Sequence, residues 1–519
     1  MNKKHILLWA IIALIFLPLL FFPISSDLSI FTLGGKTIAE GGDIYVDYVD
    51  LKPPLIYYLF SLFYSIFGSS EVTLRLCDYL IQIAAVVLLW RIVKKVSLSD
   101  FFAYASSIIF AVLYTSLNYT QTFQSESLTI LPILGIFYIQ VFNKSGLVFM
   151  LARGALIGFL AGIKPDLGIV LLAVMVDDAI LKKYTFKVQF LRFLYTSAGF
   201  VLFILISILP IMNSEQMKQF GNVFQFLSFY SSQPPFDKAF VIHSIKEVAN
   251  FFGDYLSLSQ FALVVLGLGI YFKKQYNNDS SEDHLLRFSL LTILFMMFTI
   301  ALERKFHTYH FIRMFIPLAL FAAYGFKSFY GSLKTAWENG DSFKKWGIAM
   351  LLGTAIVFSP ISRLVNISTI GYKFFTDQSS YDAQFEKKEF WSNMHRVQHK
   401  EITGFIKSKR APGDMLMVVS TGAGALNFFL KDMQIARLSQ SCFYLGPGAV
   451  EGWTKMAFDD LKQADWVVAQ LDDIHPSLTS TDLPSWELFK QNMSMYNYLI
   501  NNFHLVKTTH SFKIFQRNK

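Results

Sequence analysis

Apolar runs about as long as a bilayer core is thick recur along most of the chain, and they restrict what it can fold into. A helix needs about 20 predominantly apolar residues to cross the hydrocarbon core. Runs near this length predict transmembrane helices at 6–24, 78–96, 101–117, 125–142, 146–163, 167–181, 193–213, 255–272, 285–302, 311–330 and 345–362. The sequence therefore predicts a polytopic α-helical membrane protein with about eleven transmembrane helices.

The composition agrees with this class of protein. Only 16% of the residues are charged, whereas a soluble domain carries about 25%. The net charge of +9 would suit a nucleic-acid partner. The Lys and Arg residues, however, lie in short clusters between the apolar runs, and this pattern excludes nucleic acid as the partner. The two cysteines, Cys77 and Cys442, form no metal-binding or redox motif.

The basic clusters also predict which side of the membrane each loop occupies. Lys and Arg follow the second, sixth, eighth and tenth spans, whereas the loop at 118–125 holds neither. Basic loops face the cytoplasm, so the N-terminus is predicted to be cytoplasmic, and an odd number of spans places the C-terminal segment outside. The first apolar run lacks an Ala-x-Ala cleavage site and predicts an uncleaved span. We expect a multi-pass protein of the plasma (inner) membrane.

Two of the predicted outer loops are long. In the first, residues 25–77, the stretch 55–67 is apolar but too short to cross a bilayer, which predicts an interfacial helix. Pro53 and Pro54 suit its first turn, and Gly68 suits its end. The second loop, residues 214–253, shows no regular pattern and predicts a lid or a partly disordered segment.

The composition changes after residue 363. Met415–Val419 and Trp466–Ala469 are typical of short buried strands, and 503–507 with 512–515 predict a hairpin. The chain is thus expected to have a transmembrane domain, 1–362, and a soluble extracytoplasmic α/β domain, 363–519. Gly422-Ala423-Gly424 resembles the start of a nucleotide-binding loop, but the third glycine is replaced by Asn427, so we predict a turn there.

Four carboxylates lie in the first outer loop: Asp27, Asp43, Asp47 and Asp50. Charged groups near the apolar part of a membrane are costly and often functional. A carboxylate at this boundary can act as a general base, because it can accept a proton from a substrate while the reacting centre is kept from bulk water. The structural alternative is that these residues cap helices in an ordinary polar loop.

The first loop resembles that of the lipid-phosphate-sugar glycosyltransferases. The motifs that carry the resemblance are Asp27 after the first span, the run Gly42-x-x-Tyr45-x-Asp47, and Asp50-Leu51-Lys52-Pro53-Pro54, followed by Gly68 and Arg75. Weaker similarities are Gln124-Ser125-Glu126, the glycine-rich span that ends in Lys164-Pro165, and the segment from Lys305 to Arg313 with Pro317. The family includes the protein O-mannosyltransferases and the bacterial aminoarabinose transferases, which share the C-type membrane glycosyltransferase fold.

The resemblance implies a role for several residues. Asp27 would be the catalytic base, and the substrate-binding candidates are Tyr45, Asp47, Asp50 and Glu126. The family often has a second acid where Leu28 stands, and some members have an acid at the position of Leu51. A cofactor is therefore not assigned, and the question of a divalent metal stays open.

Basic residues on the predicted outer side fit the same chemistry independently of the resemblance. A polyprenyl-phosphate leaving group gains negative charge as it departs, and nearby cations stabilise that charge. The phosphate-binding candidates are Lys52, Lys164, Lys305, His310 and Arg313. The structural alternatives are that Lys305 and Arg313 reach to lipid headgroups and that Asp166 pairs with Lys164. His307 and His310, three residues apart, would need further ligands to bind a metal.

These features favour an inverting glycosyltransferase that moves a sugar from a polyprenyl-phosphate carrier to an acceptor hydroxyl or amine on the outer membrane face. Its partners would be the lipid-linked donor, an acceptor lipid, glycan or protein, and membrane lipids. A transporter or flippase of a lipid-linked sugar is the first alternative; it predicts inverted repeats, and the sequence shows none. A non-catalytic membrane assembly subunit is the second. The sugar and the acceptor are not determined by the sequence.

Overall fold

A computed structural model describes residues 3–142, 144, 146–180, 184–232, 237–252, 258–274, 280–339, 345–347, 361–386 and 395–518. The chain forms two compact units. The helical unit comprises Met1–Phe22, Arg75–Ser207 and Asp237–Tyr372, and the α/β unit comprises Pro23–Leu74, Ile208–Phe236 and Lys373–Lys519. The predicted division of the chain at residues 362 and 363 stays a prediction.

Helices make up most of the described chain up to residue 339. They are α1 Lys3–Phe16, α2 Ser26–Ala39, α3 Pro54–Phe67, α4 Glu71–Ser97, α5 Asp100–Thr115, α6 Ile130–Val141, α7 Leu147–Ile163, α8 Val170–Ile180, α9 Phe186–Ile208, α10 Ser214–Ser232, α11 Lys238–Asn250, α12 Leu258–Lys273, α13 Ser281–Glu303 and α14 Phe315–Glu338.

The C-terminal part alternates short helices with strands. Its helices are α15 Ile361–Thr376, α16 Gln378–Ala383, α17 Arg396–Lys409, α18 Ala423–Phe429, α19 Glu451–Gln463, α20 Pro476–Thr479, α21 Ser485–Gln491 and α22 Met493–Asn502. Its strands are β1 Met415–Val419, β2 Gln434–Ile435, β3 Trp466–Gln470, β4 Phe503–Thr508 and β5 Phe512–Arg517.

Several helices are apolar enough to lie in a membrane. Among the described residues, four are long enough to cross one: α4, Phe186–Ile211, α13 and Thr308–Thr335. A fifth span results if His5–Phe21 and Ser26–Ala39, which are separated by a sharp bend, are taken together. Shorter apolar helices include α3, α5, α7 and Ser125–Val141. The total of eleven spans stays a prediction, and the predicted span at 345–362 lies largely outside the described residues.

Three predicted spans do not begin as regular α-helices. Short 3₁₀ turns at Ser125–Thr129, Pro165–Ile169 and Thr308–Met314 precede α6, α8 and α14. Pro165 suits the first position of such a turn because its missing amide would have no partner there. These turns hold the polar residues that interrupt the apolar pattern, and they bring several candidate site residues together.

The first loop contains one helix that the sequence predicted and one that it did not. The predicted interfacial segment forms α3, which begins at Pro54 and ends before Gly68, whose φ is 76°. Helix α2 was not predicted, because Gly34 and Gly35 in its interior obscure the pattern. The glycines are required by packing: a Cβ atom at Gly35 would lie 2.6 Å from the backbone carbon of Phe60 in α3.

Residues 214–253 showed no regular sequence pattern, yet most of that stretch is helical, and its role as a lid stays a prediction. The described residues form α10 and α11, and residues 233–236 lie outside the description. Both helices have side-chain caps, since Asn213 accepts the amide of Gln216 at 2.8 Å and Asp237 accepts that of Phe240 at 2.8 Å. The mixed polar and aromatic composition of these helices concealed their periodicity.

The C-terminal sheet has the order β2-β1-β3-β5-β4. Strand β1 is parallel to β2 and β3, and β5 is antiparallel to β3 and β4. The two predicted strands and the predicted hairpin are confirmed, whereas the two-residue β2 gave no sequence signal. The core beneath the sheet includes Leu416, Val418, Trp466, Val468 and Ile514.

The turn predicted at Gly422-Ala423-Gly424 is only partly confirmed. Thr421 and Gly422 form a turn, and α18 begins directly after it at Ala423 and includes Gly424. This helix provides the crossover between the parallel strands β1 and β2. Gly424 lies within this helix, where it packs closely against Ser26 and Ile30 of α2.

Candidate functional site

In the helical unit, six ionisable side chains from the ends of apolar helices form one buried group. Two belong to the 3₁₀ turns that precede α6 and α8, two to the turn before α14, one is the last residue of α13, and one is the C-cap of α7. We call this group the Glu126 cluster, and it consists of Glu126, Lys164, Asp166, Glu303, His310 and Arg313. The sequence separates its members by up to 187 positions.

Lys164 and Arg313 are held by carboxylates at short distances. The Nζ atom of Lys164 lies 2.6 Å from an oxygen of Glu126 and 2.6 Å from one of Glu303. Arg313 lies 2.7 Å from Glu303 and 3.1 Å from Glu126, and its other nitrogen is 2.7 Å from Asp166. Charge-assisted contacts of this kind are strong and directional. The cluster therefore fixes the orientation of both cations.

His310 completes the cluster. Its Nε2 atom lies 3.3 Å from Glu303 and 3.9 Å from Glu126. Its Nδ1 atom is buried and has no hydrogen-bond partner within the described part of the chain. A buried nitrogen without a partner is costly, so this atom is a candidate for contact with a ligand.

The charges of the cluster nearly balance. Burial raises the pKa of Asp166 to about 6, against the opposing effects of Arg313 and Lys164. Burial alone would lower the pKa of Lys164, but the carboxylates of Glu126 and Glu303 raise it above its usual value. At neutral pH, which is above the pKa of Asp166, Asp166 is mostly ionised, so the two cations Lys164 and Arg313 face three carboxylates. The cluster is then an oriented set of donors with no surplus of positive charge.

Lys305 lies next to the cluster in sequence but has a different environment. It is half-buried between Arg304 and Phe306, whose φ angles are 57° and 43°. Such left-handed backbone is uncommon for residues other than glycine. Burial, followed by the charge of Arg304, lowers the pKa of Lys305 to about 8. Its ammonium group is thus the one candidate in this loop whose charge would change just above neutral pH.

Asp27 belongs to the α/β unit. It is half-buried in the first turn of α2, and Ser25 caps this helix by accepting the amide of Leu28 at 3.3 Å. Since Ser25 performs the capping, Asp27 is not the capping residue. A carboxylate in the first turn still interacts favourably with the helix dipole. A purely structural role for Asp27 would therefore consist of this interaction and not of capping.

The structure brings Tyr45, Asp50 and Lys52 together. Asp50 is buried and accepts hydrogen bonds from Tyr57 at 2.5 Å and from Ser439 at 2.9 Å. Tyr45 donates its hydroxyl to the carbonyl oxygen of Lys52 at 2.6 Å, and burial raises its pKa well above the usual value. These contacts hold the loop in shape, and a role in substrate binding stays a prediction for each of the three.

Asp47 lies apart from that group. It is exposed, and its carboxylate accepts the amide of Asp43 at 2.7 Å, which closes a tight turn. Lys52 is half-buried, with its Nζ atom 5.8 Å from the centre of the Phe31 ring. Within the α/β unit, then, the predicted site residues are divided between loop-stabilising and more accessible positions.

Sequence reasoning did not select two members of the Glu126 cluster. Glu303 ends an apolar run directly before Arg304 and Lys305, and this position was a signal that could have been used. Asp166 was expected to pair with Lys164, but its direct ion pair is with Arg313 at 2.7 Å. The contact joins residues 147 positions apart, so spacing could not have revealed it. His307 and His310 have no metal site around them: no group of three or more potential metal ligands occurs in the described residues.

Comparisons with known proteins agree with this architecture. Residues 51–211 match the family described as dolichyl-phosphate-mannose-protein mannosyltransferase. The fold matches ArnT from Cupriavidus metallidurans bound to undecaprenyl phosphate, with a TM-score of 0.54 and 13% identity over 99% of this chain and 98% of that one. The chain resembles the C-type glycosyltransferases in fold. The resemblance inferred from the first loop is thereby confirmed.

A second set of similar structures comes from an archaeal enzyme. The oligosaccharyltransferase AglB from Archaeoglobus fulgidus, in complex with an inhibitory peptide and a dolichol-phosphate, has a TM-score of 0.51 and 11% identity, covering 91% of this chain and 70% of that one. The Archaeoglobus fulgidus oligosaccharyltransferase tethered to an acceptor peptide has a TM-score of 0.51 and 12% identity, covering 91% and 69%. None of the curated proteins matches the chain by sequence.

Proposed function

We propose that the protein is an inverting membrane glycosyltransferase that transfers a sugar from a polyprenyl-phosphate carrier to a hydroxyl or amine of an acceptor lipid, glycan or protein. The observation that carries the proposal is the position of Asp27, a half-buried carboxylate in the first turn of α2, in a chain whose fold matches ArnT over nearly its whole length. The match to ArnT bound to undecaprenyl phosphate supports a lipid phosphate as the carrier.

Asp27 acts as the general base in this proposal. It accepts the proton of the acceptor hydroxyl or amine as the acceptor atom forms a bond to the anomeric carbon of the sugar. The bond between that carbon and the phosphate oxygen breaks on the opposite face, so the configuration inverts. The electron pair leaves with the polyprenyl phosphate, which gains one negative charge.

The cations stabilise that departing charge. Lys164 and Arg313 are oriented by Glu126, Glu303 and Asp166, so they need little reorganisation when charge develops. Because these carboxylates neutralise them in the resting state, Lys305 and Lys52 are proposed to supply the additional donors. The Nε2 atom of His310 faces Glu303, so His310 would donate to the phosphate through Nδ1 only in its doubly protonated form. Glu126, Tyr45, Asp47 and Asp50 remain proposed contacts of the sugar or the acceptor.

The membrane topology belongs to the same proposal. We assign the N-terminus to the cytoplasm and the C-terminal α/β domain, residues 363–519, to the extracytoplasmic side of the inner membrane. The distribution of Lys and Arg supports this orientation, since the loop at 118–125, directly before Glu126, holds no basic residue. Transfer would then take place on the outer face.

The decisive experiment compares the wild type with Asp27→Asn in nanodiscs. Radiolabelled undecaprenyl-phosphate hexoses and pentoses are supplied, and released or transferred sugar is measured with water and with candidate acceptors. We expect slow hydrolysis by the wild type and a loss of about 100-fold or more in Asp27→Asn, while binding of the lipid persists. Asp43→Asn is the matched control, because Asp43 is an exposed carboxylate of the same loop.

Equal turnover by the wild type and Asp27→Asn would remove Asp27 from the role of base. Binding without turnover for every donor and acceptor would reject the transferase. In that case a transporter of the lipid-linked sugar, or a non-catalytic subunit, would account for the fold.

A further inference from the structure

Helix α2, which carries Asp27, packs against α18 of the C-terminal sheet region. Gly424 of α18 lies at the contact. A Cβ atom at this position would lie 2.7 Å from Cγ1 of Ile30 and 2.9 Å from the carbonyl oxygen of Ser26. Real Cβ atoms essentially never approach other atoms this closely, so the contact requires glycine. Ser26 directly precedes Asp27, and the contact therefore acts on the turn that holds the carboxylate.

The segment that enters α2 is fixed to the C-terminal region by hydrogen bonds. The amide of Ile24 donates to Glu71 at 2.8 Å. Arg396 of α17 donates to both oxygens of Glu71 at 2.7 Å and to Asp382 at 2.7 Å. Only 2% of Arg396 is exposed, so these contacts are shielded from water. Bidentate pairs of this kind also fix geometry, and here they fix the backbone just before α2.

The chain that leaves α2 is attached to the same region. Val49 donates its amide to the carbonyl of Arg437 at 2.7 Å, and Ser439 donates its amide to the carbonyl of Val49 at 3.1 Å. The side chain of Ser439 donates to Asp50 at 2.9 Å, and Asp50 in turn accepts the hydroxyl of Tyr57 at 2.5 Å. The loop thus pairs with the residues that follow β2 as a short parallel bridge.

We propose that the C-terminal region of the α/β unit positions the catalytic carboxylate, and that Gly424 is the positioning residue that sets how closely α2 approaches. The inference rests on the proposed function, since it takes Asp27 to be the base, and it gives the Gly422-Ala423-Gly424 segment a role. Gly424 touches no reacting atom. It acts through Ser26 and Ile30 on the placement of the first turn of α2.

The test compares Gly424→Ala with Gly404→Ala. Gly404 lies in α17 of the same unit, and a Cβ atom there would meet nothing within 4 Å. We expect Gly424→Ala to lower the kcat of sugar release from radiolabelled undecaprenyl-phosphate hexose about 10-fold or more, because small displacements of a catalytic group cost this much. The KM for the donor is expected to stay close to that of Gly404→Ala, since Gly424 acts on the base rather than on donor binding.

A second readout does not depend on turnover. Each glycine substitution is combined with Asp27→Cys, and the rate of alkylation by N-ethylmaleimide is measured. The background is low because Cys77 and Cys442 are both buried. Displacement of α2 from α18 is expected to expose position 27, so alkylation is faster in the Gly424→Ala protein than in the Gly404→Ala protein.

Equal kcat and equal alkylation in the two alanine variants would overturn the proposal. If Gly424→Ala does not fold, Ile30→Ala probes the same contact from the α2 side by removing Cγ1. The same two changes are then expected, and their absence would contradict the inference. Full turnover by Asp27→Asn together with faster alkylation in Gly424→Ala would reject the assigned base while leaving the positioning contact supported.

Discussion

Among the residues proposed to bind phosphate, Lys305 differs from Lys164 and Arg313 in how its charge depends on pH. Lys164 and Arg313 are surrounded by carboxylates, which stabilise their charged forms. Lys305 is half-buried beside another cation, Arg304, and both effects disfavour its charged form. Lys305 is therefore the one of these three residues that loses its proton at the lowest pH, and this makes its contribution measurable.

Donor affinity is expected to fall as the pH rises through about 8, because Lys305 loses its proton with a pKa of about 8. Lys305→Arg should keep the charge to higher pH and move this fall upward, since arginine stays protonated throughout. Binding of undecaprenyl phosphate to the protein in nanodiscs, measured from pH 6 to about 10, tests this. Lys334→Arg, at an exposed lysine in α14, is the control. An identical pH profile in the wild type and Lys305→Arg would show that Lys305 does not contact the phosphate.

At the scale of elements, the first loop shows how two helices can pack more closely than side chains normally allow. Gly34 and Gly35 of α2 face α3, where Tyr57 and the backbone at Phe60 and Ser61 lie within the space of a side chain. Glycine in a helix interior costs about 1 kcal/mol relative to alanine. That cost is offset by the close packing of α2 on α3, which fixes the helix that carries Asp27.

Gly35→Ala is expected to lower the stability of the protein by about 1–3 kcal/mol, because overpacking against a backbone cannot be relieved by a rotamer change. The added Cβ would lie 2.6 Å and 2.7 Å from backbone atoms of Phe60 and Ser61. Gly221→Ala in α10 is the matched control: nothing lies within 4 Å of its Cβ position, and alanine favours a helix. Thermal unfolding of both purified variants measures the difference. Equal melting temperatures would mean that α2 and α3 can separate at no cost.

At the scale of the whole molecule, the α/β unit is assembled from segments that are far apart in the chain. Glu71 and Arg396 are 325 positions apart, and Asp50 and Ser439 are 389 positions apart. Contacts of this length close large loops, and their entropic cost must be balanced by burial and good geometry. The unit thus depends on a few polar contacts in addition to the apolar core beneath the sheet.

Arg396→Ala should lower the stability of the protein by about 3 kcal/mol or more, because it leaves Glu71 and Asp382 without their buried cation. Arg410→Ala removes an ion pair with Asp432 that is largely exposed, and it should cost about 1 kcal/mol or less. The melting temperatures of both variants in detergent are compared with that of the wild type. Binding of undecaprenyl phosphate by the wild type shows that the reference protein is folded. A similar loss in both variants would indicate that the Glu71–Arg396 pair contributes nothing beyond a surface contact.

Part of the candidate site could be predicted from the sequence. Asp27, Lys164, His310 and Arg313 were selected because charge beside apolar runs is costly, and the structure brings the last three into one cluster. Glu303 and the pairing of Asp166 with Arg313 were missed, because their partners come from other helices. The near balance of charge in the Glu126 cluster was also beyond the sequence, since it depends on which carboxylates surround each cation.

The sequence by itself determined the class of the protein, several of its apolar helices, four of the five strands of the C-terminal sheet and the resemblance in the first loop. These follow from local composition, periodicity and motif spacing, which act over neighbouring residues. Only the tertiary structure decided that residues 23–74 form one unit with the C-terminal chain and that Gly424 lies against the turn holding Asp27. Such contacts depend on packing between segments hundreds of positions apart, and no local pattern in a single sequence records them.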